Sequence, residues 1–250
     1  MERGYQIPVL MYHQVLGARS EAGRFDTWVL EGALRRQLRH LKAQGYQTIT
    51  FRDLGRPAEP GRRSIILTFD DGYENNYTAL FPLLQELGFT AVVFMVTRLR
   101  SNTWAVEQGE PEQRLMTAAQ AREMFAHGVE FGGHTRTHVN FDLVSPEVAR
   151  AEIAGCRADL ADWLGEPPVS FAYPYGAVSA RLKQLVREAG FEYGVATKSG
   201  PPRLGQDRYE VRRLAISYRT GMGGFRLKAS GHYHGPLHGL GHVLWRPAGE

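Results

Sequence analysis

Short apolar runs alternate along the chain with longer segments in which leucine and other apolar residues recur every three or four positions. The short runs predict buried strands at 7–12, 46–50, 65–69, 90–96, 129–133, 169–172, 193–196 and 214–217. The longer segments predict amphipathic helices at 30–45, 75–87, 117–127, 145–164 and 179–189. Strands and helices in this alternation indicate an α/β fold built on a parallel sheet, either barrel-like or doubly wound.

The last thirty residues differ in character from the rest of the chain. Residues 1–220 are predicted to form one domain, whereas 221–250 are rich in glycine and contain His232, His234, His238 and His242. Histidine-rich tracts bind metals without a fold, but we favour a poorly ordered extension. Two other segments, 55–63 and 98–113, lack a clear period and predict surface loops, the second of them beside the ends of the strands.

Composition and charge narrow the classes of partner. The 250 residues carry a net charge of +4, with 30 basic and 26 acidic residues, a balance too mixed for a dedicated nucleic-acid surface. The single cysteine, Cys156, excludes an intrachain disulfide and a cysteine-based zinc site. No apolar stretch is long enough to predict a membrane span, and no export signal is visible. As given, the chain is expected in the cytoplasm, and a longer precursor in the cell envelope or outside it.

Two adjacent carboxylates, Asp70 and Asp71, end the apolar run 65–69 and precede Gly72. Adjacent residues of a strand point in different directions, and glycine lets the backbone turn sharply away. One carboxylate of the pair can therefore hold a metal ion while the other handles a proton. The alternative is an Asx turn or a helix N-cap, which an isolated Asp-Asp-Gly sequence would favour.

Two histidines, His134 and His138, follow the predicted strand 129–133. If this segment turns helically, both rings face one side and reach one ion. An isolated pair of this kind would more often be exposed or capping. Here the pair lies with the two aspartates at the carboxyl ends of the parallel strands, which we call the mouth of the sheet. Two histidines and Asp71 would leave coordination positions open, as in a catalytic Zn²⁺ site, with Asp70 as the base.

Three motifs, each after a predicted strand, resemble those of one known family. They are Thr68-Phe-Asp-Asp-Gly72, His134-Thr-Arg-Thr-His138 and Phe171-Ala-Tyr-Pro-Tyr-Gly176. In this order they are similar to the first three motifs of the polysaccharide deacetylases, the NodB-homology or carbohydrate esterase family 4 proteins. The opening, Ile7-Pro-Val-Leu-Met-Tyr-His13, most resembles the branch that deacetylates poly-N-acetylglucosamine. The resemblance spans about Ile7 to Ser217.

The resemblance implies a distorted (β/α)7 barrel and metal-dependent removal of acetyl groups from an N-acetylated glycan. It makes Asp70 the general base and the backbone N–H of Tyr175 a donor to the oxyanion. Asp71, His134 and His138 match the ligands of a divalent metal, for which Zn²⁺ is our first expectation and Co²⁺ or Ni²⁺ are alternatives.

The acid that protonates the departing amine is assigned less directly by the resemblance. His13, at the end of the first predicted strand, resembles the counterpart of the family's late catalytic histidine, and the alternative for it is a structural histidine. His238 resembles the late motif only superficially, because it lies in the glycine-rich tail.

One position departs from the family pattern. The third motif often carries an arginine that orients the base, and this chain has Ala172 there. Arg213, before the strand at 214–217, is a candidate replacement, although we favour an ordinary surface position for it.

Four aromatic side chains are candidates for stacking on sugar rings: Tyr73, Tyr173, Tyr175 and Trp104, the last in the long loop. Core packing is the alternative for each of them.

Other functions share the same site chemistry. A second enzymatic hypothesis is an O-acetyl esterase of the xylan type or a small-molecule amidohydrolase. A third, from another class, is a catalytically inactive carbohydrate-binding protein, which would not need a base beside a metal site. The sequence leaves the oligomeric state open.

Overall fold

The computed structural model describes residues 7–54, 63–197 and 206–231. Within these ranges the strands are β1 (Val9–Tyr12), β2 (Gln14–Leu16), β3 (Trp28–Leu30), β4 (Tyr46–Thr48), β5 (Arg63–Phe69), β6 (Val92–Met95), β7 (Glu130–Gly133), β8 (Ser170–Ala172), β9 (Tyr193–Val195) and β10 (Leu214–Ala215). The α-helices are α1 (Glu31–Ala43), α2 (Phe81–Leu87), α3 (Thr103–Val106), α4 (Ala118–Ala126), α5 (Pro146–Leu164), α6 (Ala180–Glu188) and α7 (Met222–Ala229).

Seven parallel strands form the central sheet in the order β10-β1-β5-β6-β7-β8-β9. β4 pairs with the first residues of β5, and β2 and β3 form a separate parallel pair. β10 lies beside β1, so the last strand of the sheet returns to the first. The sheet is a curled half-barrel, and the predicted distorted (β/α)7 barrel of the NodB type is confirmed.

Alternate residues of the strands enter two separate apolar clusters, as the pleat requires. Along β5, Ile65 and Leu67 pack in the large cluster shared with α1, α2 and α4. Ile66 packs in the smaller cluster, formed mostly by strand residues on the other face. Thr68 and Asp70 continue the row of Ile66, so β5 delivers a carboxylate to the concave side of the sheet at its mouth.

The predicted helices are found, with small shifts at their ends. The hydroxyls of Thr117 and Ser145 cap α4 and α5 by accepting backbone N–H bonds, and Gly88 ends α2 in the left-handed conformation. The predicted helix 75–87 divides into a π-helical turn, Asn76–Leu80, followed by α2.

Three short elements escaped prediction, because three or four residues are too few to show a period. β2 and β3 pair with each other beside the mouth, and α3 lies within the segment predicted as a loop. Among the helices of the described ranges, none combines the length and the hydropathy of a bilayer span.

The predicted extension 221–250 begins with a packed helix. Phe225 and Ala229 of α7 are buried in the large cluster, so this part of the extension lies against the barrel. The four histidines of the tail lie in 232–250, outside the described residues, as does most of the predicted loop at 55–63. The domain boundary at residue 220 stays a prediction.

Candidate active site and metal centre

The carboxyl ends of the parallel strands place the candidate residues at one edge of the sheet. β1 and β5 pair up to their last residues, so His13 and Asp70 leave the two strands side by side. His134 follows β7 and donates its backbone N–H to the carbonyl oxygen of Met95 at 2.9 Å. The structure therefore brings together residues that lie far apart in the chain.

Asp71, His134 and His138 converge on one point. Asp71 Oδ1 lies 3.2 Å from His134 Nε2 and 3.4 Å from His138 Nε2. All three side chains are buried, and their ligand atoms lie within 4.8 Å of one another. We call these three residues the triad. One carboxylate oxygen and two imidazole nitrogens are a donor set that suits a divalent ion and leaves coordination positions open.

The hydrogen bonding of His134 shows that the triad fits a cation. Its Nδ1 lies 2.8 Å from the carbonyl oxygen of Ala172, which only accepts, so Nδ1 carries a proton. In a neutral ring, Nε2 then presents a lone pair to the carboxylate of Asp71. Two acceptor atoms at this distance are stable only with a positive charge beside them, either a proton on Nε2 or a bound cation.

The charge states of Asp71 and His138, the other two residues of the triad, also favour binding of a cation. Burial by itself raises the pKa of Asp71, but the imidazoles of His134 and His138 beside it outweigh burial and hold this pKa well below the ordinary value, so the carboxylate stays ionised. Burial lowers the pKa of His138, which favours its neutral form. An anionic oxygen and a neutral imidazole are the forms that bind metals.

Backbone strain is concentrated at this site. Among the described residues other than glycine, those with positive φ are Asp71 (73°), Thr135 (66°), His138 (55°) and Tyr175 (56°). A β-branched residue such as Thr135 rarely adopts this conformation, and strained residues of this kind cluster at functional sites. The helical turn considered for 134–138 is absent, and left-handed residues in an irregular loop aim the two imidazoles at Asp71 instead.

Arg213 is the main correction to the sequence analysis. It is fully buried rather than on the surface, and its Nη1 and Nη2 donate to Asp70 Oδ1 and Oδ2 at 2.6 and 2.7 Å. Its Nη1 also donates to Thr68 Oγ1, and its Nε donates to the carbonyl oxygen of Ala196. Arg213 directly precedes β10, which lies two strands from β5 in the sheet, and its guanidinium fixes the orientation of the Asp70 carboxylate from there.

Asp70 is held as an anion beside the triad. Burial by itself raises its pKa, but the charge and hydrogen bonds of Arg213 outweigh burial and keep the pKa of Asp70 below the ordinary value. His13 Nε2 lies 3.9 Å from Asp70 Oδ2, and the His13 side chain is 19% exposed. One carboxylate and one accessible imidazole therefore face the same mouth.

Two aromatic rings pack on the imidazole of His138, one of the three residues of the triad. The ring of Trp104 stacks on His138, with centroids 4.2 Å apart and an angle of 20° between the planes. The ring of Tyr175 meets His138 edge-on at 4.7 Å. Both rings are partly exposed, so they form the wall of the mouth on the His138 side.

The other two candidate aromatics do not line the mouth. Tyr173 is fully buried, and its hydroxyl donates to the carbonyl oxygen of Tyr209, so its predicted contact with a sugar is wrong. It follows the inward-facing Ala172, and alternation turns its ring toward the helix layer. Tyr73 is also buried, and its hydroxyl interacts with Asp71, Gln14 and Asn102, which makes it a support of the triad rather than a sugar platform.

A buried carboxylate on α5 fastens the loop that carries the two histidines. Asp159 accepts two hydrogen bonds from Arg136, between His134 and His138, and two from Arg98 after β6. Thr97 donates its hydroxyl to the same carboxylate at 2.8 Å. Asp159 therefore ties together the two loops that leave β6 and β7.

This tie predicts a pH-dependent contribution to stability. Burial opposes ionisation of Asp159, but Arg98 and Arg136 outweigh it and lower its pKa. A lowered folded-state pKa stabilises the fold above the unfolded value of about 3.9, and this stabilisation is lost as the pH falls through the folded value. We expect Asp159→Asn to lower the free energy of unfolding by about 1–3 kcal/mol at pH 7.

Urea denaturation with a chelator present measures this contribution. The difference between wild type and Asp159→Asn should shrink between pH 5 and pH 3, whereas Asp142→Asn, on an exposed loop, should differ little from wild type throughout. A difference that stays constant with pH would show that the charge of Asp159 does not stabilise the two loops.

A family model described as polysaccharide deacetylase matches residues 58–194, more than half of the chain. The chain belongs to the polysaccharide deacetylase family. This membership places it among deacetylase hydrolases that act on acetylated glycans. The matched range contains five of the candidate site residues: Asp70, Asp71, His134, His138 and Tyr175.

Individual polysaccharide deacetylases show how far the similarity extends. The YxkH protein of Bacillus subtilis strain 168 is 25% identical over 227 residues, covering 89% of this chain and 75% of its own. The poly-beta-1,6-N-acetyl-D-glucosamine N-deacetylase of Staphylococcus epidermidis is 23% identical over 201 residues, covering 76% and 68%. The structure of the Streptococcus pyogenes deacetylase PplD in complex with acetate superposes with a TM-score of 0.76 at 24% identity, covering 90% and 98%.

Proposed function

We propose that this polysaccharide deacetylase hydrolyses N-acetyl groups of an N-acetylhexosamine glycan with the help of a divalent metal held by the triad. The observation that carries the proposal is the placement of an ionised, arginine-bound carboxylate, Asp70, beside the three metal-suited side chains at one mouth. The similarity to the Staphylococcus epidermidis poly-beta-1,6-N-acetyl-D-glucosamine N-deacetylase supports this class of substrate.

In the proposed reaction the two halves of the mouth have separate tasks. A metal bound by Asp71, His134 and His138 would lower the pKa of a coordinated water and polarise the acetyl carbonyl. Asp70, fixed by Arg213, takes the proton of the attacking water. The backbone N–H of Tyr175 donates to the oxyanion that develops on the acetyl group.

The departing amine needs a proton, and His13 is the group that we assign to supply it. Its Nε2 lies near Asp70 Oδ2, so the base and the acid flank one place where a scissile amide can bind. Without a proton the amine would have to leave as an amide anion, which is a poor leaving group. An imidazole can donate a proton near neutral pH. The products are acetate and a free amino sugar.

Metal analysis combined with acetate release tests the proposal. Purified wild type should contain about one divalent ion per chain and release acetate from N-acetylglucosamine oligomers, with loss of activity on chelation and recovery on adding Zn²⁺, Co²⁺ or Ni²⁺. Faster release from acetylated xylan would instead favour the O-acetyl esterase. A protein that binds the oligomers without releasing acetate would be a carbohydrate-binding protein.

His134→Ala is expected to lose both the metal and the activity, because it removes one of the three ligands. We expect metal affinity to fall by at least about 100-fold, as even loss of an outer-sphere partner costs about 10- to 100-fold. His127→Ala is the matched control, since His127 lies exposed at the end of α4. Metal retained in full by His134→Ala would remove His134 from the proposed ligand set.

A further inference from the structure

One part of the rim of the mouth has no task in the proposed reaction. It is formed by the turn after β10, Ser217–Thr220, and by the segment 17–27 between β2 and β3. Met11 lies opposite Ala215, and the N–H of Ile216 donates to the carbonyl oxygen of Met11 at 2.8 Å. β1 and β10 therefore end together, and the turn after β10 emerges on the same side as His13.

Tyr218 in this turn forms an aromatic pair with Trp28. Their rings are parallel within 4°, with centroids 4.3 Å apart. Trp28 is buried at 5% exposure and belongs to β3, where it pairs with Gln14, the residue after His13. Tyr218 is 36% exposed. A partly exposed ring thus rests on a buried ring that the β2–β3 pair holds in place.

Two arginines surround the exposed ring. Arg219 Nε lies 3.0 Å from the hydroxyl of Tyr218 and 2.9 Å from Asp26 Oδ2. The guanidinium carbon of Arg19 lies 5.8 Å from the ring centroid. Each guanidinium carries five N–H donors in a planar fork, so both can also donate to oxygen atoms that come to the ring. We call Tyr218, Arg19 and Arg219 the aromatic platform.

The platform is connected to the wall formed by Trp104. Glu110, at the end of the segment that carries Trp104, accepts the backbone N–H groups of Arg24 and Phe25 at 2.8 and 3.1 Å. The segment 17–27 is therefore fastened to the loop on the His138 side. A continuous rim runs from Trp104, beside the triad, to Tyr218, on the side of His13.

We propose that the aromatic platform binds a pyranose unit of the glycan chain next to the unit that is deacetylated. The proposal rests on the proposed function, because it assumes a chain that lies across the mouth. A pyranose has an apolar face of C–H groups that packs on an aromatic ring, and a rim of hydroxyl and acetamido oxygens that accept hydrogen bonds. Tyr218 supplies the ring, and Arg19 and Arg219 supply the donors.

A comparison of long and short substrates tests the platform. For metal-loaded protein, kcat/KM is measured on an N-acetylglucosamine hexamer and on a chromogenic aryl acetate, which has no second sugar unit to occupy the platform. We define the quotient as kcat/KM for the hexamer divided by kcat/KM for the aryl acetate. Tyr218→Ala should lower this quotient by about tenfold, mainly because KM for the hexamer rises. Tyr218→Phe keeps the ring and should retain most of the wild-type quotient.

Tyr193→Ala is the matched control. Tyr193 is also partly buried, lies beside another aromatic ring and has an arginine 5.5 Å from its ring centroid, but it is at the amino end of β9, on the opposite edge of the sheet. Its quotient should equal that of wild type. A binding measurement in an Asp70→Asn background tests the platform without the aryl acetate. In this background, Tyr218→Ala should weaken hexamer binding by the same factor of about ten.

The outcomes separate the platform from the function. Wild type that releases acetate from no N-acetylated oligomer would overturn the proposed function itself. Wild type that is active while Tyr218→Ala keeps the same quotient and the same hexamer affinity would overturn the platform alone. Equal losses on the hexamer and the aryl acetate would show a structural role for Tyr218, which also overturns the platform.

Discussion

Asp70→Asn is expected to lower kcat for acetate release by about 10²- to 10⁴-fold while the protein keeps its metal. An amide of the same shape cannot take the proton of the attacking water, whereas the three proposed ligands stay in place. Asp71→Asn, one residue away, should weaken metal binding instead. Two adjacent carboxylates with opposite results would demonstrate the division of labour that their different contacts suggest.

The measurement pairs kinetics with metal content on the same preparations. Asp142→Asn serves as the control, because this aspartate is exposed on a loop outside the site. Asp70→Asn also leaves the charge of Arg213 without its anionic partner, so unfolding by urea must show that the variant is folded at the assay temperature. Full activity of a folded Asp70→Asn would exclude Asp70 as the base.

The fold and the triad could be predicted from the sequence, because both depend on local patterns. Apolar runs mark the strands, and parallel strands bring their carboxyl ends to one edge. Asp71, His134 and His138 each follow such a run and meet at this edge. The convergence of the three side chains could be predicted without the local conformation of the histidine loop, since the helical turn considered there is absent.

The conformation of the histidine loop could not be predicted, because tertiary contacts impose it. Thr135 and His138 have positive φ, which their side chains disfavour. Arg136 is held by Asp159, and the N–H groups of Arg136 and Thr137 both donate to Glu152. Contacts from α5 therefore stabilise a backbone that local propensity would reject.

Arg213 shows why contacts between residues far apart in the sequence are hard to predict from the sequence alone. It lies 143 residues from Asp70 in the sequence, and its approach depends on β10 pairing with β1. The missing arginine at Ala172 indicated that another cation was needed, but an arginine before a short strand is exposed in most proteins. Tyr173, in contrast, could have been assigned correctly from strand alternation after Ala172.

Arg213→Leu is expected to lower the free energy of unfolding by about 3–5 kcal/mol at pH 7, because it leaves the buried Asp70 carboxylate without its partner. The double variant Asp70→Asn/Arg213→Leu removes both charges, so its loss should be smaller than the sum of the two single losses by about 1–3 kcal/mol. Urea denaturation of the metal-free proteins measures the cycle. Arg150→Leu, which breaks an exposed pair with Glu188, should destabilise the fold far less, because solvent screens exposed ion pairs.

The same residue should also set the pH range of the enzyme. Arg213 lowers the pKa of Asp70 against the effect of burial, so its removal raises this pKa, and the acid limb of kcat/KM moves to higher pH. Arg213→Lys keeps the charge but loses the two-pronged contact, so it should preserve the acid limb better than the leucine variant while still lowering kcat. Additive losses in the cycle, or an acid limb that Arg213→Leu does not move, would contradict a role of Arg213 in orienting and ionising the base.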